Sequence, residues 1–481
     1  MHGEIKFVFE FFSVNFDTVK AFLMKKYIFL VCSLFSFGIF AQSEITIGTT
    51  TLQVDTIISG LDIPWEIIYG PDDHIWITER KGIVSRINPI DGSKTVILNH
   101  VSNVLQNGES GMLGMVLHPN FSAFPEVFIA YTYSSAGAIK ERIVKFTYNG
   151  TALTNEQILL DEMSGNSTHI GCRLFVMDDN TLILSTGDAQ FLDLPQDINS
   201  LSGKVLRMNL DGSIPVDNPI SGSYVYTWGH RNVQGIASGP NGLVYLSEHG
   251  ASSDDEFQIL EANRNYGWPN VEGFCDNAGE ISFCTANNVK EPLFSWTPTV
   301  ATSDMLFYEN PLFPEFHQKM LMTVLKDKQI IAIELDAAGT AVVGQELYLT
   351  NVFGRLRDIC VGPNKEIYLA TNGASWSNTN PNTHSIVVLR APNNVGVNDL
   401  DLLNSIKTYP NPMTETFSIE VPKELKGAVM SIFDLNGKEV LKISLRSTLT
   451  VLSTEKFSEG FYTLRLTDLS GNVVNHKLIK N

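Results

Sequence analysis

A turn followed by a short apolar strand recurs through the middle of this chain, and no other feature restricts its fold as much. Four segments carry the pattern: Pro71-Asp72-Asp73-His74-Ile75-Trp76-Ile77-Thr78-Glu79, Asp178-Asp179-Asn180-Thr181-Leu182-Ile183-Leu184-Ser185-Thr186, Pro240-Asn241-Gly242-Leu243-Val244-Tyr245-Leu246-Ser247-Glu248 and Pro363-Asn364-Lys365-Glu366-Ile367-Tyr368-Leu369-Ala370-Thr371. Each strand is apolar on both faces, as a buried strand is. With Trp76, Ile183, Tyr245 and Tyr368 taken as equivalent, the spacings are 107, 62 and 123 residues. These are close to two, one and two steps of about 55–60 residues, so five steps imply six units. A unit this small cannot bury its own two faces, and sheets arranged radially around a channel bury them against each other. The spacing therefore predicts an all-β fold, a six-bladed β-propeller, over residues 50–390. The 36 glycines, 20 prolines and 10% aromatic residues suit a turn-rich β protein. Stacked parallel α/β units are disfavoured, because no amphipathic helix follows these strands.

A length of 481 residues leaves room for more than one domain at about 100–200 residues each. After Arg390 the run Ala391-Pro392-Asn393-Asn394-Val395-Gly396-Val397-Asn398-Asp399 reads as a linker, assigned to 391–408. Short strands divided by Asn436-Gly437 and Ser470-Gly471 follow over 409–481, as in a small β-sandwich. With 34 Lys and Arg against 52 Asp and Glu, the formal charge is −18. A field of that sign repels phosphate, so no nucleic acid is expected as a partner.

Met24, Lys25-Lys26, the largely apolar run from Tyr27 to Phe40 and Ala41-Gln42 have the layout of an export signal, assigned to residues 1–41 with Met24 as the start. The run is shorter than the roughly 20 residues a membrane-spanning helix needs. Export places the mature chain where disulfides persist. Cys275 and Cys284, which bracket a short polar segment, are the expected pair, leaving Cys172 and Cys360. No CxxC or CxxCH occurs, which argues against a zinc site and excludes a covalent c-type haem.

The second domain opens with Tyr409-Pro410-Asn411-Pro412, turns at Asp434-Leu435-Asn436-Gly437-Lys438, continues through Gly460-Phe461-Tyr462-Thr463-Leu464-Arg465 and ends on Lys477-Leu478-Ile479-Lys480. It resembles a type IX secretion C-terminal sorting domain; a generic carbohydrate-binding or adhesion sandwich is the alternative. The resemblance implies a secreted or cell-surface location, recognition by secretion machinery and removal of this domain, with the periplasm as the alternative location.

The propeller region carries, in order, Ile63-Pro64-Trp65, Thr78-Glu79-Arg80, Gly108-Glu109-Ser110-Gly111-Met112-Leu113-Gly114, His169-Ile170-Gly171-Cys172-Arg173-Leu174, Thr186-Gly187-Asp188, Gly203-Lys204-Val205-Leu206-Arg207, Gly229-His230-Arg231-Asn232-Val233-Gln234-Gly235, Ser247-Glu248-His249-Gly250, Asn265-Tyr266-Gly267-Trp268-Pro269, Leu325-Lys326 and Gly354-Arg355-Leu356-Arg357-Asp358. Together these resemble the glucose/sorbosone dehydrogenases, six-bladed propellers that use pyrroloquinoline quinone (PQQ). The resemblance implies a PQQ- and calcium-dependent enzyme that oxidises aldose sugars to lactones and passes electrons to an external acceptor, a quinone, cytochrome or cupredoxin. It implies His169 as general base and Arg231 at the quinone. Asn232, Thr299, Lys326, Arg355 and Arg357 would bind the cofactor. The carbonyls of Gly250 and Ala251 would hold calcium, and Glu256, the Tyr266 carbonyl, Asp276 and Glu291 a second, structural calcium.

The residue types suit that chemistry on their own terms. PQQ is a flat ortho-quinone with three carboxylates, and guanidinium forks match carboxylates. Imidazole accepts protons near neutral pH. Three positions depart from the family pattern: Thr168 stands for an aspartate, Cys172 for a common glycine and Ala251 for a proline. The first argues against strict glucose specificity. Two further readings stay open, a calcium-dependent propeller lactonase or esterase and a non-catalytic binding module. No GxGxxG and no GxSxG motif supports a nicotinamide enzyme or a serine hydrolase.

Overall fold

The computed structural model describes residues 43–373, 384–391, 406–422, 425–435, 437–467 and 473–480. The expected export signal (1–41, with Met24 and Ala41) and all but the ends of the expected 391–408 linker lie outside the described residues. From Ser43 to Arg390 the chain forms six antiparallel sheets, and five of them have four strands in sequence order. Blades I to V run over 64–99, 112–164, 171–228, 233–296 and 302–348. In the sixth, strands Leu356–Val361, Ile367–Thr371 and Ser385–Arg390 are completed by Thr50–Ser59 and Ser43–Ile47 from the start of the chain. The innermost strands, Pro64–Tyr69, Met112–Leu117, Gly171–Val176, Val233–Ser238, Thr302–Tyr308 and Leu356–Val361, adjoin one another in a closed ring. This is the six-bladed propeller expected from the spacing.

Trp76, Ile183, Tyr245 and Tyr368 all lie on the second strand of a blade, in blades I, III, IV and VI. The shared turn has a backbone reason. Its third residue is left-handed in every copy: Asp73 (φ 57°), Asn180 (62°), Gly242 (72°) and Lys365 (69°), a conformation that Gly, Asn and Asp adopt most readily. Blades II and V enter their second strands through longer segments, 118–125 and 309–318, that contain two prolines each. That is why their strands escaped the repeat. Between blades, buried side chains such as Leu113, Phe128, Leu184 and Leu206 pack into shared cores.

Residues 407–480 form two further antiparallel sheets of three and four strands. Phe417, Ile419, Met430, Ile432, Leu464, Leu466 and Leu478 bury between them, the sandwich expected from the turns. Cys275 and Cys284 are disulfide-bonded, while Cys172 and Cys360 are not. The bridged segment is helical over Ala278–Asn287, capped by Asn277 accepting from the Gly279 and Glu280 amides.

Closure of the ring depends on the first strands. Arg390 pairs with Asp55 at 2.5 Å, and Glu315 of blade V accepts from the Thr49 amide (2.7 Å), the Thr50 amide (3.1 Å) and the Thr49 hydroxyl (3.1 Å). Burial works to raise the Glu315 pKa, but the donors from Thr50 and Thr49 outweigh it and hold it below its usual value of 4.5. A carboxyl depressed on folding stabilises above its unfolded pKa and loses that stabilisation as pH falls through the folded value. Glu315→Ala should therefore lower unfolding free energy by about 0.5–1.5 kcal/mol at pH 7, and the gap should narrow as pH falls below the usual 4.5. Urea midpoints of both proteins across pH 3–8 check this; a gap that does not change with pH contradicts it.

Candidate active site

The third residues of the six inner strands are Glu66, Gly114, Arg173, Gly235, Asp304 and Asp358. Each strand breaks register near this point, as bulges do where a side chain is re-aimed. The two glycines allow close approach: a Cβ on Gly114 would lie 2.1 Å from the Cys172 carbonyl oxygen, and one on Gly235 2.4 Å from that of Ser303. The other four residues meet. Arg173, 1% exposed, bonds Glu66 (2.7 Å) and Asp358 (2.8 Å), pairs with Asp304 at 3.5 Å and donates to the Gln234 carbonyl (2.9 Å). Burial pushes Glu66 up to about 8 against the pull of Arg173. It also raises Asp304 and Asp358, so protons as well as Arg173 balance this layer.

Arg173 stacks on Trp65 at 4.3 Å, and Arg357 lies 5.7 Å from the same ring. Trp65 lines a cavity of about 220 Å³. Its walls are apolar at Leu113, Ile170, Ala301 and Leu325, and its charged lining is Lys326, Arg355 and Arg357 against the single carboxylate of Glu109. Burial, then the neighbouring Arg355, lowers the Arg357 pKa to about 9, and burial lowers Arg355 and the nearby Arg80. Arg80 Nε is buried without a partner. Arg357 donates to Gln234 at 2.9 Å. Lys326 reaches Thr299 through its carbonyl (2.7 Å) and hydroxyl (3.0 Å), so Thr299 stands behind Lys326. The cavity is thus rich in cations inside an acidic protein, and such a site favours an anionic, planar guest.

His169 precedes the cavity-lining Ile170, on a left-handed backbone (φ 56°). A Cβ on Gly187 would sit 1.8 Å from the His169 carbonyl, so only glycine fits there. The His169 amide donates to Glu109 (2.8 Å). Its Nδ1 lies 2.8 Å from Asp188, a fully buried carboxylate that also accepts from Trp268 Nε1 (2.9 Å) and the Gln190 amide (2.8 Å). Nε2 faces Arg231 Nη2 at 3.0 Å. A guanidinium only donates, so the imidazole carries its proton on Nδ1 and its Nε2 lone pair accepts from Arg231. Arg231 also donates to the His249 carbonyl (3.1 Å) and lies 5.4 Å from the Trp268 ring.

Three other propeller histidines hold structural hydrogen bonds, among them His249, which also lines the cavity. His230 is buried between Thr227 (2.8 Å) and Glu248 (2.9 Å), His249 bonds the Thr302 carbonyl (2.5 Å), and His118 Nδ1 accepts from the Asn120 amide (3.0 Å). Asn232 is 1% exposed, and its side-chain oxygen accepts from the Gly171 amide (3.0 Å) and Gln234 (3.1 Å). It braces the wall from outside the lining. Cys172, where a glycine is common, sits at φ 64°, which explains the glycine preference. Thr168 accepts from the Gln190 amide side chain beside His169.

A small second cavity shares His249 with the first. Gly250, Glu248, Asp254, Glu256 and Tyr266 line it, with Arg231 and Trp268. The structure thus joins Gly250, Glu256 and Tyr266, which the sequence divided between two ions. Ala251 is exposed, and Asp276 and Glu291 belong to the disulfide-bridged segment, where Glu291 accepts from the Cys275 amide (2.8 Å). Among the described residues no three His, Cys, Asp or Glu side chains converge as metal ligands. Asp188, Trp268, Glu109, Trp65, Gln234, Arg80 and Arg173 all stand in or beside the resembling blocks, yet were given no role. The usable signal was chemical: a histidine base needs an acceptor for its second N–H, and Asp188 closes the block that follows His169.

Residues 61–377 match the glucose / sorbosone dehydrogenase family, and residues 407–481 match the secretion system C-terminal sorting domain. Quinoprotein glucose dehydrogenase B of Acinetobacter calcoaceticus is 37% identical over 257 residues, 46% of this chain and 53% of that relative, so the match spans about half its length. An aldose sugar dehydrogenase of Escherichia coli is 30% identical over 358 residues, 69% of this chain and 94% of the relative. The structure of the PQQ-bound aldose sugar dehydrogenase of Streptomyces coelicolor superposes with a TM-score of 0.61 at 28% identity, covering 70% of this chain and 98% of that one.

The axial cluster gives a pH test. Glu66, raised on folding, keeps a proton between 4.5 and about 8 that the unfolded chain has lost. Stability from it is full below 4.5 and is lost as pH rises through about 8. Glu66→Gln cannot ionise, so its urea midpoint should decline less than that of the parent from pH 5 to 8. Parallel declines would show that Glu66 does not titrate in this window.

Proposed function

The chain belongs to the glucose / sorbosone dehydrogenase family, and from that premise we propose that it is a secreted quinoprotein that oxidises the anomeric carbon of aldose sugars to lactones. PQQ and calcium are its cofactors in this reading, and an external acceptor (a quinone, cytochrome or cupredoxin) takes the electrons. The observation that carries the reading is a cavity lined by the Lys326, Arg355 and Arg357 cations, whose lining residues Glu109 and His249 are hydrogen-bonded to a second device, the Asp188–His169–Arg231 chain.

The residues fit a tricarboxylate. Burial lowers both Arg355 and Arg357, and Arg355 helps to lower Arg357 to about 9, so an anion brought beside them would favour their charged forms. Both line the cavity, as expected of alternate residues around Leu356 on a strand. A carboxylate guest would relieve their repulsion and receive bidentate bonds. Trp65 offers it a flat wall backed by Arg173. When bound, the quinone supplies the two-electron acceptor that no side chain here provides.

Once the substrate hydroxyl replaces Arg231 as the donor to Nε2, His169 takes the proton of the anomeric hydroxyl as the carbon loses its hydride, and Asp188 stabilises the imidazolium that results. Trp268 fixes Asp188, so the ring cannot turn its lone pair away. Arg231, held by the His249 carbonyl, places positive charge beside the reacting atoms, where it stabilises negative charge more in the transition state than before it. A hard cation, which the resemblance would place on the Gly250 and Ala251 carbonyls, would add to that charge; Gly250 lines the second cavity and Ala251 follows it, exposed. Thr168 and Gln190, paired next to His169, leave no carboxylate at that rim position, which suits several aldoses. The 407–481 sorting domain supports export across the cell envelope; the cuts near Ala41 and in the 391–408 linker belong to the same proposal.

Dye-linked aldose oxidation should need both PQQ and a divalent ion; turnover by protein stripped of both would contradict the proposal. In the reconstituted enzyme, His169→Ala should lower kcat by about 10² to 10⁴ with PQQ affinity little changed. Arg355→Ala or Arg357→Ala should weaken PQQ binding by roughly 30-fold or more and regain rate at saturation, whereas Arg231→Ala should stay slow there. PQQ titrations that read plateau rate and midpoint for each variant separate these roles. Parental PQQ affinity in the Arg355 and Arg357 variants would remove that pair from the site.

A further inference from the structure

Lys204 begins strand Lys204–Asn209 of blade III and is fully buried. Its Nζ donates to three backbone carbonyls, Leu194 (2.9 Å), Pro195 (3.0 Å) and Ser202 (2.8 Å). An ammonium has three donors, and all three are used on one connection, residues 187–203. Asp197 is the charged group that acts on it, and among the described residues no carboxylate forms an ion pair with it. Three carbonyl dipoles aimed at one point repel each other unless a cation stands between them. Sites of this kind elsewhere hold metal ions; here the chain provides the cation itself.

The same connection builds the base. It carries Asp188, the acceptor for His169, and Gln196, which donates to Asn265 (3.0 Å) and to the Trp268 carbonyl (2.7 Å). Trp268 in turn donates to Asp188. The Pro195 carbonyl also accepts from the Gly229 amide (3.0 Å), two residues before Arg231. We propose that Lys204 is a positioning residue, the internal cation of the 187–203 connection, whose grip on Leu194, Pro195 and Ser202 keeps Asp188 and Trp268 in place to orient His169. Its catalytic meaning rests on the sugar-oxidising reading, while its hold on the connection does not. Burial lowers the Lys204 pKa from 10.5 toward about 7, and Asp197 opposes the shift. The three carbonyls also favour the ammonium, so deprotonation falls at or above that value. The neutral amine has two N–H groups for three carbonyls, and the connection should open more often as pH rises.

Hydrogen exchange on the full-length apo-protein tests this without turnover. In Lys204→Met, exchange of the 187–203 peptides should rise about ten-fold or more with blade VI peptides unchanged, and in reconstituted enzyme kcat should fall at least about ten-fold with a sugar KM within about threefold. In the parent, exchange of 187–203 corrected for intrinsic chemistry should rise from pH 7 to 9.5, and this series decides the matter if Lys204→Met does not accumulate. Unchanged exchange in the variant, a uniform rise over all blades, a pH-flat parent, or lost protection with parental kcat each overturns the proposal. A parent inactive on every aldose overturns the sugar reading instead, and leaves the exchange result to judge Lys204.

Discussion

Three carboxyl groups buried on the axis of a propeller must be neutralised, and protons alone leave no common partner to tie them together. Arg173 is that partner. It comes from blade III and meets Glu66 of blade I, Asp304 of blade V and Asp358 of blade VI. Four of six blades are thereby tied at the point where their inner strands converge. The remaining two contribute Gly114 and Gly235, whose missing side chains let the ring close tightly. Removing one member of such a cluster strands the others, which typically costs about 3–5 kcal/mol.

The sign of the charge reverses across Trp65. On the Arg173 side the carboxylates are in excess and are pushed toward protonation. On the cavity side Arg355, Arg357 and Lys326 are in excess and the guanidinium groups are pushed the other way. The Trp65 indole meets one guanidinium from each layer, Arg173 at 4.3 Å and Arg357 at 5.7 Å, and its electron-rich face attracts both. A chain of net charge −18 therefore presents a local positive basin to a small anion while its bulk field repels large polyanions.

How much of this was legible in the sequence depended on distance along the chain. The turn chemistry is local, so a left-handed third residue announced four second strands and, through their spacing, the blade count. Blades II and V, entered through proline-containing segments, had no such marker. The Arg355–Leu356–Arg357 alternation was local too, and both side chains reach the cavity. His169 and Arg231 were chosen through family blocks, and their contact at 3.0 Å spans two blades that no local pattern connects. Asp188, Trp268 and the axial Arg173 cluster went unassigned for the same reason: each acts through a partner on another blade or loop. Carbonyl donors leave no trace in residue type, so the chain offered no local marker for the metal readings. Glu256 and Tyr266 gather with Gly250, while Asp276 and Glu291 stay with the disulfide segment.

The central claim is that the cation excess above Trp65 exists to receive a polyanionic quinone. Calorimetric titration of the apo-protein with PQQ and, in parallel, with its trimethyl ester isolates charge from shape. The account predicts one PQQ per chain and an ester weaker by at least about 30-fold, the loss of about 2 kcal/mol expected when buried charge-assisted pairs are not made. Equal affinity for acid and ester, or no PQQ binding at all, would contradict it.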